Sequence, residues 1–314
     1  RLTAELEEVF PGAVNEKSIL KTSTTASLAI AIQENLDSSS DDSRQQKLDS
    51  YHSLMEIQKG LKSKKPLYLV HTGLGFVYYY LDLARSLGKD QPVYAFQARG
   101  LKSDTQPLES INTMAEVYIK ELLDYQPFGP YQLGGASAGG FIAFEMAKQL
   151  VKMGQKVSLL VMIDTPGPVI DLPKPVESNL EILQRMFGDK LDLSDTNKAL
   201  ENMSLDSLIQ YTVNKTNTME GTGHLDEGFI KRAVLVAKTL EKAMFEYKPE
   251  PYGGNIDFFK HTEPLPEFSL TPERAWIDLA ESGVHVIKAP GNHYTMNMAP
   301  NVSFIADLIL KKMV

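Results

Sequence analysis

From Pro66 onward the apolar positions alternate between short runs of strand character and longer stretches at helical spacing. Leu67-Tyr68-Leu69-Val70 predicts a strand that ends in the loop His71-Thr72-Gly73-Leu74-Gly75, and Tyr80, Leu83 and Leu87 then share one helical face. Residues 93–96 form the next strand pattern, 114–125 a helix, 131–133 a strand running into Gly134-Gly135, and 141–152 a helix. Residues 157–163 are almost wholly apolar, as a strand buried on both faces requires. Residues 256–259 and 284–287 predict two later strands, and 303–312 a closing helix. Strands alternating with helices predict a mostly parallel sheet covered by helices on both faces. One interval breaks the rhythm. Between Ile163 and Ile256 no strand pattern is visible, whereas a simple crossover needs only about a dozen residues. The interval carries helical patterns instead, at Leu180-Leu183-Phe187, Leu205-Leu208-Ile209 and 229–245, and predicts a helical lid inserted at about 169–248.

Before Pro66 the pattern is different. Leu2, Leu6 and Phe10 share one helical face, and Leu28, Ile30, Ile32 and Leu36 mark a second helical segment. Some 36 residues of this kind are too few to fold alone without staples, so they are expected to be a docked appendage or the end of something larger. The stretch after Leu36 is polar and poor in apolar residues, and 37–65 is read as a linker to a domain at 66–314. Composition narrows the function classes. The 314 residues carry a net charge of −8 without a basic patch, which argues against a nucleic-acid partner. There is no cysteine, so disulfides, thiolate metal sites and a cysteine nucleophile are excluded. No apolar run approaches the roughly 20 residues of a membrane span, and the amphipathic start is unlike a signal peptide, so a cytoplasmic chain with no membrane partner is expected.

Chemistry enters at Gly135-Ala136-Ser137-Ala138-Gly139. A G-x-S-x-G pattern alone is weak, but here a strand precedes it and a helix follows, which is the setting of the serine elbow in an α/β-hydrolase fold. The competing reading is a glycine-rich turn that merely packs a helix on a sheet; a phosphate-binding turn is a weak alternative, since no G-x-x-x-x-G-K-[ST] pattern is present. A nucleophilic Ser137 needs a histidine base and an orienting carboxylate, following it in the order Ser, acid, His. Four histidines follow Ser137. His285 falls within a strand, His224 in a polar loop of the insertion, and His261 in the charged run Lys260-His261-Thr262-Glu263. His293, in Pro290-Gly291-Asn292-His293-Tyr294 just after the final strand, is the expected base. Asp164, at the end of the 157–163 strand, is the preferred acid, with Asp257 and Glu263 as alternatives and a turn-starting aspartate as the plain structural reading. The oxyanion donors are expected to be the backbone N–H of Ala138 and one from the loop after the first strand, at Gly73 or Leu74. No metal site is expected.

Together these residues resemble the releasing thioesterase domains of nonribosomal peptide synthetases and polyketide synthases. The likeness runs in order from Pro66 to the C-terminus, through Tyr80-Leu81-Asp82-Leu83-Ala84-Arg85, Val93 to Gly100, Gly129 to Gly140, Met162-Ile163-Asp164 and Gly291-Asn292-His293. It implies an acid after the strand that follows the serine helix, which favours Asp164. It also implies an acyl or peptidyl chain delivered on the phosphopantetheine arm of a carrier protein, with no cofactor bound by the thioesterase itself. Residues 1–36 look like the last helices of such a carrier domain, though Ser18 and Ser23 lack the Asp-Ser-Leu setting of an arm-bearing serine. Two positions depart from the family pattern, Ala136 where a bulkier residue usually precedes the nucleophile, and Thr72 where a proline often follows the loop histidine. The function implied is release through a Ser137 acyl-enzyme by hydrolysis or macrocyclisation. The alternatives are a free-standing editing thioesterase and a non-catalytic binding module.

Overall fold

The computed structural model describes residues 46–48, 50–102, 104–168, 178–187, 200, 203–217, 226–265 and 271–313. The chain divides into two units at Tyr51/His52, and the sheet with its helices lies in the second. The carrier-like reading of residues 1–36 falls outside the described residues, as does His224.

Seven strands form one sheet: β1 (Leu54–Gln58), β2 (Leu67–Val70), β3 (Val93–Phe96), β4 (Tyr131–Ala136), β5 (Val157–Ile163), β6 (Ile256–His261) and β7 (Val284–Ala289), in the spatial order β1-β3-β2-β4-β5-β6-β7. Every pairing is parallel except β1 with β3. β2, β3 and β4 are buried throughout, which is why they read as unbroken apolar runs. β1 corrects the sequence reading, since it lies inside the segment 37–65 taken as linker. As an antiparallel edge strand it pairs on one side only, and only Leu54 is fully buried; its alternation of Met55 and Ile57 with Glu56 and Gln58 is too short to stand out in a polar segment. Its start is held instead by the buried Glu121, whose carboxylate accepts from the backbone N–H of Ser53 at 3.1 Å and Leu54 at 2.8 Å.

Eight helices follow the strands among the described residues: α1 (Leu81–Ser86), α2 (Ile111–Tyr125), α3 (Ala138–Lys152), α4 (Asn179–Phe187), α5 (Leu205–Asn217), α6 (Glu227–Glu246), α7 (Arg274–Ile277) and α8 (Val302–Lys312). The pleat sends alternate strand residues to opposite faces. Leu67, Leu69, Val93 and Ala95 pack with Leu83 of α1 and with Ile305 and Ile309 of α8. On the other face Phe96 stacks on Tyr118 of α2 at 5.1 Å. Ser110 caps α2, its hydroxyl accepting from the Thr113 N–H at 3.1 Å.

The interval between β5 and β6 holds α4, α5 and α6, which build a small core of their own from Leu180, Leu183, Leu208, Ile209, Ile230 and Val234. This insertion packs on the loops that leave the carboxyl ends of β2 and β3. Phe229 stacks on Phe76 at 5.6 Å, Val236 packs with Ala98 and Leu101, and the Arg232 Nε–H donates to the Leu101 carbonyl at 2.9 Å. Residues 188–199, 201–202 and 218–225 of this interval lie outside the described residues.

Candidate active site

The turn from β4 into α3 has one residue, Ser137, with φ 52° and ψ −122°. A non-glycine residue at positive φ is strained, so the surrounding structure must hold it there. The two motif glycines let that happen. A Cβ on Gly135 would strike the backbone of Gly139, and one on Gly139 would strike the carbonyls of Val70 and His71. The Ser137 N–H donates to the Ile163 carbonyl at 2.8 Å, which ties the turn to the end of β5. From Tyr131 to Ala147 every residue is buried apart from Ser137. The buried Tyr80 hydroxyl adds a brace, donating to the Val70 carbonyl at 2.5 Å and accepting from the Ala136 N–H at 2.9 Å. Burial raises its pKa well above the ordinary tyrosine value, so it stays a neutral hydroxyl.

Asp164 follows β5 directly, also at positive φ (47°), with its N–H donating to the Phe259 carbonyl at 2.7 Å. Its carboxylate is 4% exposed and collects three donors. His293 Nδ1 lies 2.7 Å from Oδ2; His261 Nδ1 lies 2.8 Å from Oδ1 and 2.9 Å from Oδ2; and the His261 N–H lies 3.3 Å from Oδ1. Burial alone would raise the Asp164 carboxyl, but the hydrogen bonds and charge of His293 and His261 outweigh it and hold the group below the usual carboxylate value. A carboxylate only accepts, so both histidines carry a proton on Nδ1.

The loop that carries His293 is braced from within. The Asn292 side chain accepts from the N–H groups of Tyr294 at 3.0 Å and Thr295 at 3.1 Å. Asn297 donates to the Tyr79 carbonyl at 2.7 Å, joining this loop to the 3₁₀ turn Tyr78–Tyr80. On the far side of Ser137 stands the loop after β2. A methyl placed on Gly73 would lie 3.9 Å from the Ala138 Cβ and 4.0 Å from an Arg185 guanidinium nitrogen of α4. The backbone segments of the two expected oxyanion donors are thus neighbours. His71 opens this loop as a buried, neutral imidazole, with Nδ1 2.9 Å from the Thr72 carbonyl and Nε2 2.9 Å from the Tyr118 hydroxyl. Burial pushes it down to about 4, against the smaller opposing effect of the Thr72 carbonyl.

The other acid and base candidates lie elsewhere. Asp257, near the start of β6, pairs with Lys312 at 2.8 Å and His285 at 3.0 Å, and Glu263 is exposed. His261 is the residue that sequence reasoning passed over. Its place in a polar run hid the one useful signal, that it ends β6 beside the strand whose end carries Asp164. Among the described residues no cluster of three or more His, Asp or Glu side chains could hold a metal ion, and no helix is long and apolar enough to cross a membrane.

A mostly parallel sheet with a serine elbow at its centre and a helical insertion over its carboxyl edge is an α/β-hydrolase fold. The family model of the thioesterase domain matches residues 65–313, and the chain belongs to that family. Its relatives are synthetases of secondary metabolism. It is 30% identical over 245 residues to a dimodular nonribosomal peptide synthase of Bacillus subtilis, covering 74% of this chain and 9% of that protein. Against the aspulvinone E synthetase melA of Aspergillus terreus it is 30% identical over 261 residues, covering 79% and 28%. The chain therefore spans less than a third of the length of these relatives. Among solved structures, a four-domain nonribosomal peptide synthetase bound to AMP and glycine superposes with a TM-score of 0.73 at 25% identity, covering 99% of this chain and 23% of that one. The Vlm2 thioesterase domain shares the fold, with a TM-score of 0.60 at 22% identity and coverage of 82% and 96%.

Proposed function

We propose that this chain releases an acyl or peptidyl chain from the phosphopantetheine arm of a carrier protein, through an ester formed on Ser137. The observation that carries this reading is the Asp164–His293 contact at 2.7 Å, on the strand end to which the Ser137 turn is tied. With Nδ1 bonded to Asp164, His293 is left to accept a proton at Nε2 as base. In the first half-reaction Ser137 Oγ attacks the thioester carbonyl while its proton passes to His293. The C–S bond then breaks and the proton goes to the departing thiol sulfur. In the second half-reaction water or a nucleophile within the chain gives its proton to His293 and attacks the ester, and Ser137 recovers a proton as it leaves. The N–H groups of Ala138 and Gly73 would take up the negative charge on the carbonyl oxygen in both tetrahedral states. An attacking group from within the chain gives a macrocycle, and water gives a linear acid. The insertion over the carboxyl edge would form the acyl pocket and govern access of water. The multidomain relatives support a carrier domain as the source of the substrate.

The test uses a fluorophosphonate probe and an acyl N-acetylcysteamine thioester. Labelling that maps to Ser137 and disappears in Ser137→Ala, with linear acid or macrocycle as product by mass spectrometry, is the expected result. Labelling of Ser137→Ala at the wild-type rate would remove Ser137 as nucleophile.

A further inference from the structure

We propose that His261 is a positioning residue for the Asp164–His293 pair, its imidazole and backbone N–H together fixing the Asp164 carboxylate so that Oδ2 faces His293. The proposal rests on the Ser137–His293–Asp164 reading above. His261 reaches both carboxylate oxygens, at 2.8 and 2.9 Å, while its own N–H reaches Oδ1 at 3.3 Å. With His293 at 2.7 Å the carboxylate is held from two sides, by the end of β6 and by the loop after β7, and rotation about its Cβ–Cγ bond would break bonds on both. The side chain is 3% exposed, yet among the described residues its Nε2 has no hydrogen-bond partner. Leaving a buried polar atom unpaired is costly, because it gives up its bonds to water and gains none in return. A histidine kept only for packing would be better replaced by an apolar ring, and among the described residues Asp164 is the polar partner this side chain has.

The charge bookkeeping gives the role a direction. Each donor on a carboxylate spreads its negative charge and makes it a weaker partner for an imidazolium. Losing the His261 donor therefore leaves Asp164 a stronger partner for protonated His293, and the acidic limb of the rate profile moves to higher pH. The other groups facing this pair are the Tyr79 hydroxyl, 3.5 Å from the His293 carbonyl, and the Tyr294 ring, edge-on to His293 at 5.5 Å. The neighbouring Lys260 is engaged with Glu273 at 2.8 Å.

The experiment compares His261→Leu, His261→Asn and His261→Gln with Asp164→Asn in the whole chain, on an acyl N-acetylcysteamine thioester across pH. The Asn amide nitrogen sits where Nδ1 was, whereas the Gln amide sits nearer the place of Nε2. The expected result is a fall in kcat of about 10²-fold for His261→Leu with KM little changed, as for a misplaced catalytic group. Its acidic limb moves to higher pH, and His261→Asn recovers most of the rate while His261→Gln does not. If His261→Leu fails to fold, the ranking of Asn above Gln still decides, and equal rates for the two overturn the proposal. Wild-type kcat in His261→Leu, or a loss with no movement of the acidic limb, also overturns it. Collapse of Asp164→Asn beside an unimpaired His261→Leu removes only the role of His261. An unimpaired Asp164→Asn would remove the acid assignment with it.

Discussion

The carboxyl edge of the sheet and the helical insertion packed on its loops are held by different kinds of contact. At the sheet edge the proposed catalytic groups sit on backbone pinned by short hydrogen bonds: the Ser137 N–H to the Ile163 carbonyl at 2.8 Å and the Asp164 N–H to the Phe259 carbonyl at 2.7 Å. Two residues at positive φ, Ser137 and Asp164, are kept there by this frame. The insertion instead has its own small apolar core and meets the sheet loops through side chains, such as Phe229 on Phe76. Directional bonds hold atoms to tenths of an ångström, whereas apolar contacts between helices allow sliding and repacking. On the proposed function, chemistry that needs fixed geometry falls on the first kind of support, and the surface proposed to accept the acyl chain falls on the second.

The largest expected effect breaks the sheet side alone. Ser137→Ala should lower turnover of an acyl thioester on the order of 10⁴- to 10⁶-fold while leaving the circular dichroism spectrum unchanged. A residual rate close to wild type would place the nucleophile elsewhere. Next comes the acid. Asp164→Asn should cut single-turnover deacylation by about 10⁴-fold, because the His293 ring loses the acceptor that sets its tautomer. Glu263→Gln, on an exposed side chain, should change little. The reverse ranking would move the acid to Glu263.

Acid should weaken the frame itself. His71 is 1% exposed and held neutral, its value lowered from 6.5 to about 4. Above pH 6.5 both folded and unfolded chains leave it uncharged, and its full contribution is present. Between 6.5 and about 4 only the unfolded chain takes up the proton, so stability falls with falling pH, and below about 4 the loss levels off. From this one group the loss is on the order of 3 kcal/mol. Urea unfolding of the wild type and of His71→Gln across this range should show a shallower pH slope in the variant. Parallel slopes would mean that His71 is not buried as a neutral ring. The smallest effect is expected from the insertion. Phe229→Ala removes one stacked pair, worth about 0.5–1.5 kcal/mol beyond the area it buries. It should alter the ratio of linear to cyclic product, or chain-length preference, more than the rate at which a small ester acylates Ser137. An unchanged product profile would reduce the insertion to padding.

The parts of this site that were legible in the sequence are those whose signal is local. The serine elbow is written in consecutive residues, because the backbone of Gly135 and Gly139 must pass within contact of neighbouring backbone. The parallel strands are legible because burial on both faces demands unbroken apolar runs such as residues 157–163. His293 and Asp164 were marked by position, each directly after a strand, although 129 residues separate them.

What only the tertiary structure decided are the pairings that depend on which strand lies beside which. β1 is held by backbone bonds to β3 and by Glu121 of α2, and its alternation of Met55 and Ile57 with Glu56 and Gln58 is too short to be read from the sequence alone. Tyr80 looked like one member of a helical face, yet its hydroxyl joins the ends of β2 and β4. His261 looked like part of a charged run, and it becomes a donor to Asp164 only because β6 lies next to β5 in the sheet. Sequence periodicity reports how much of each residue is buried. Which polar atoms then meet inside that burial is set by strand order and register, and these are properties of the assembled sheet.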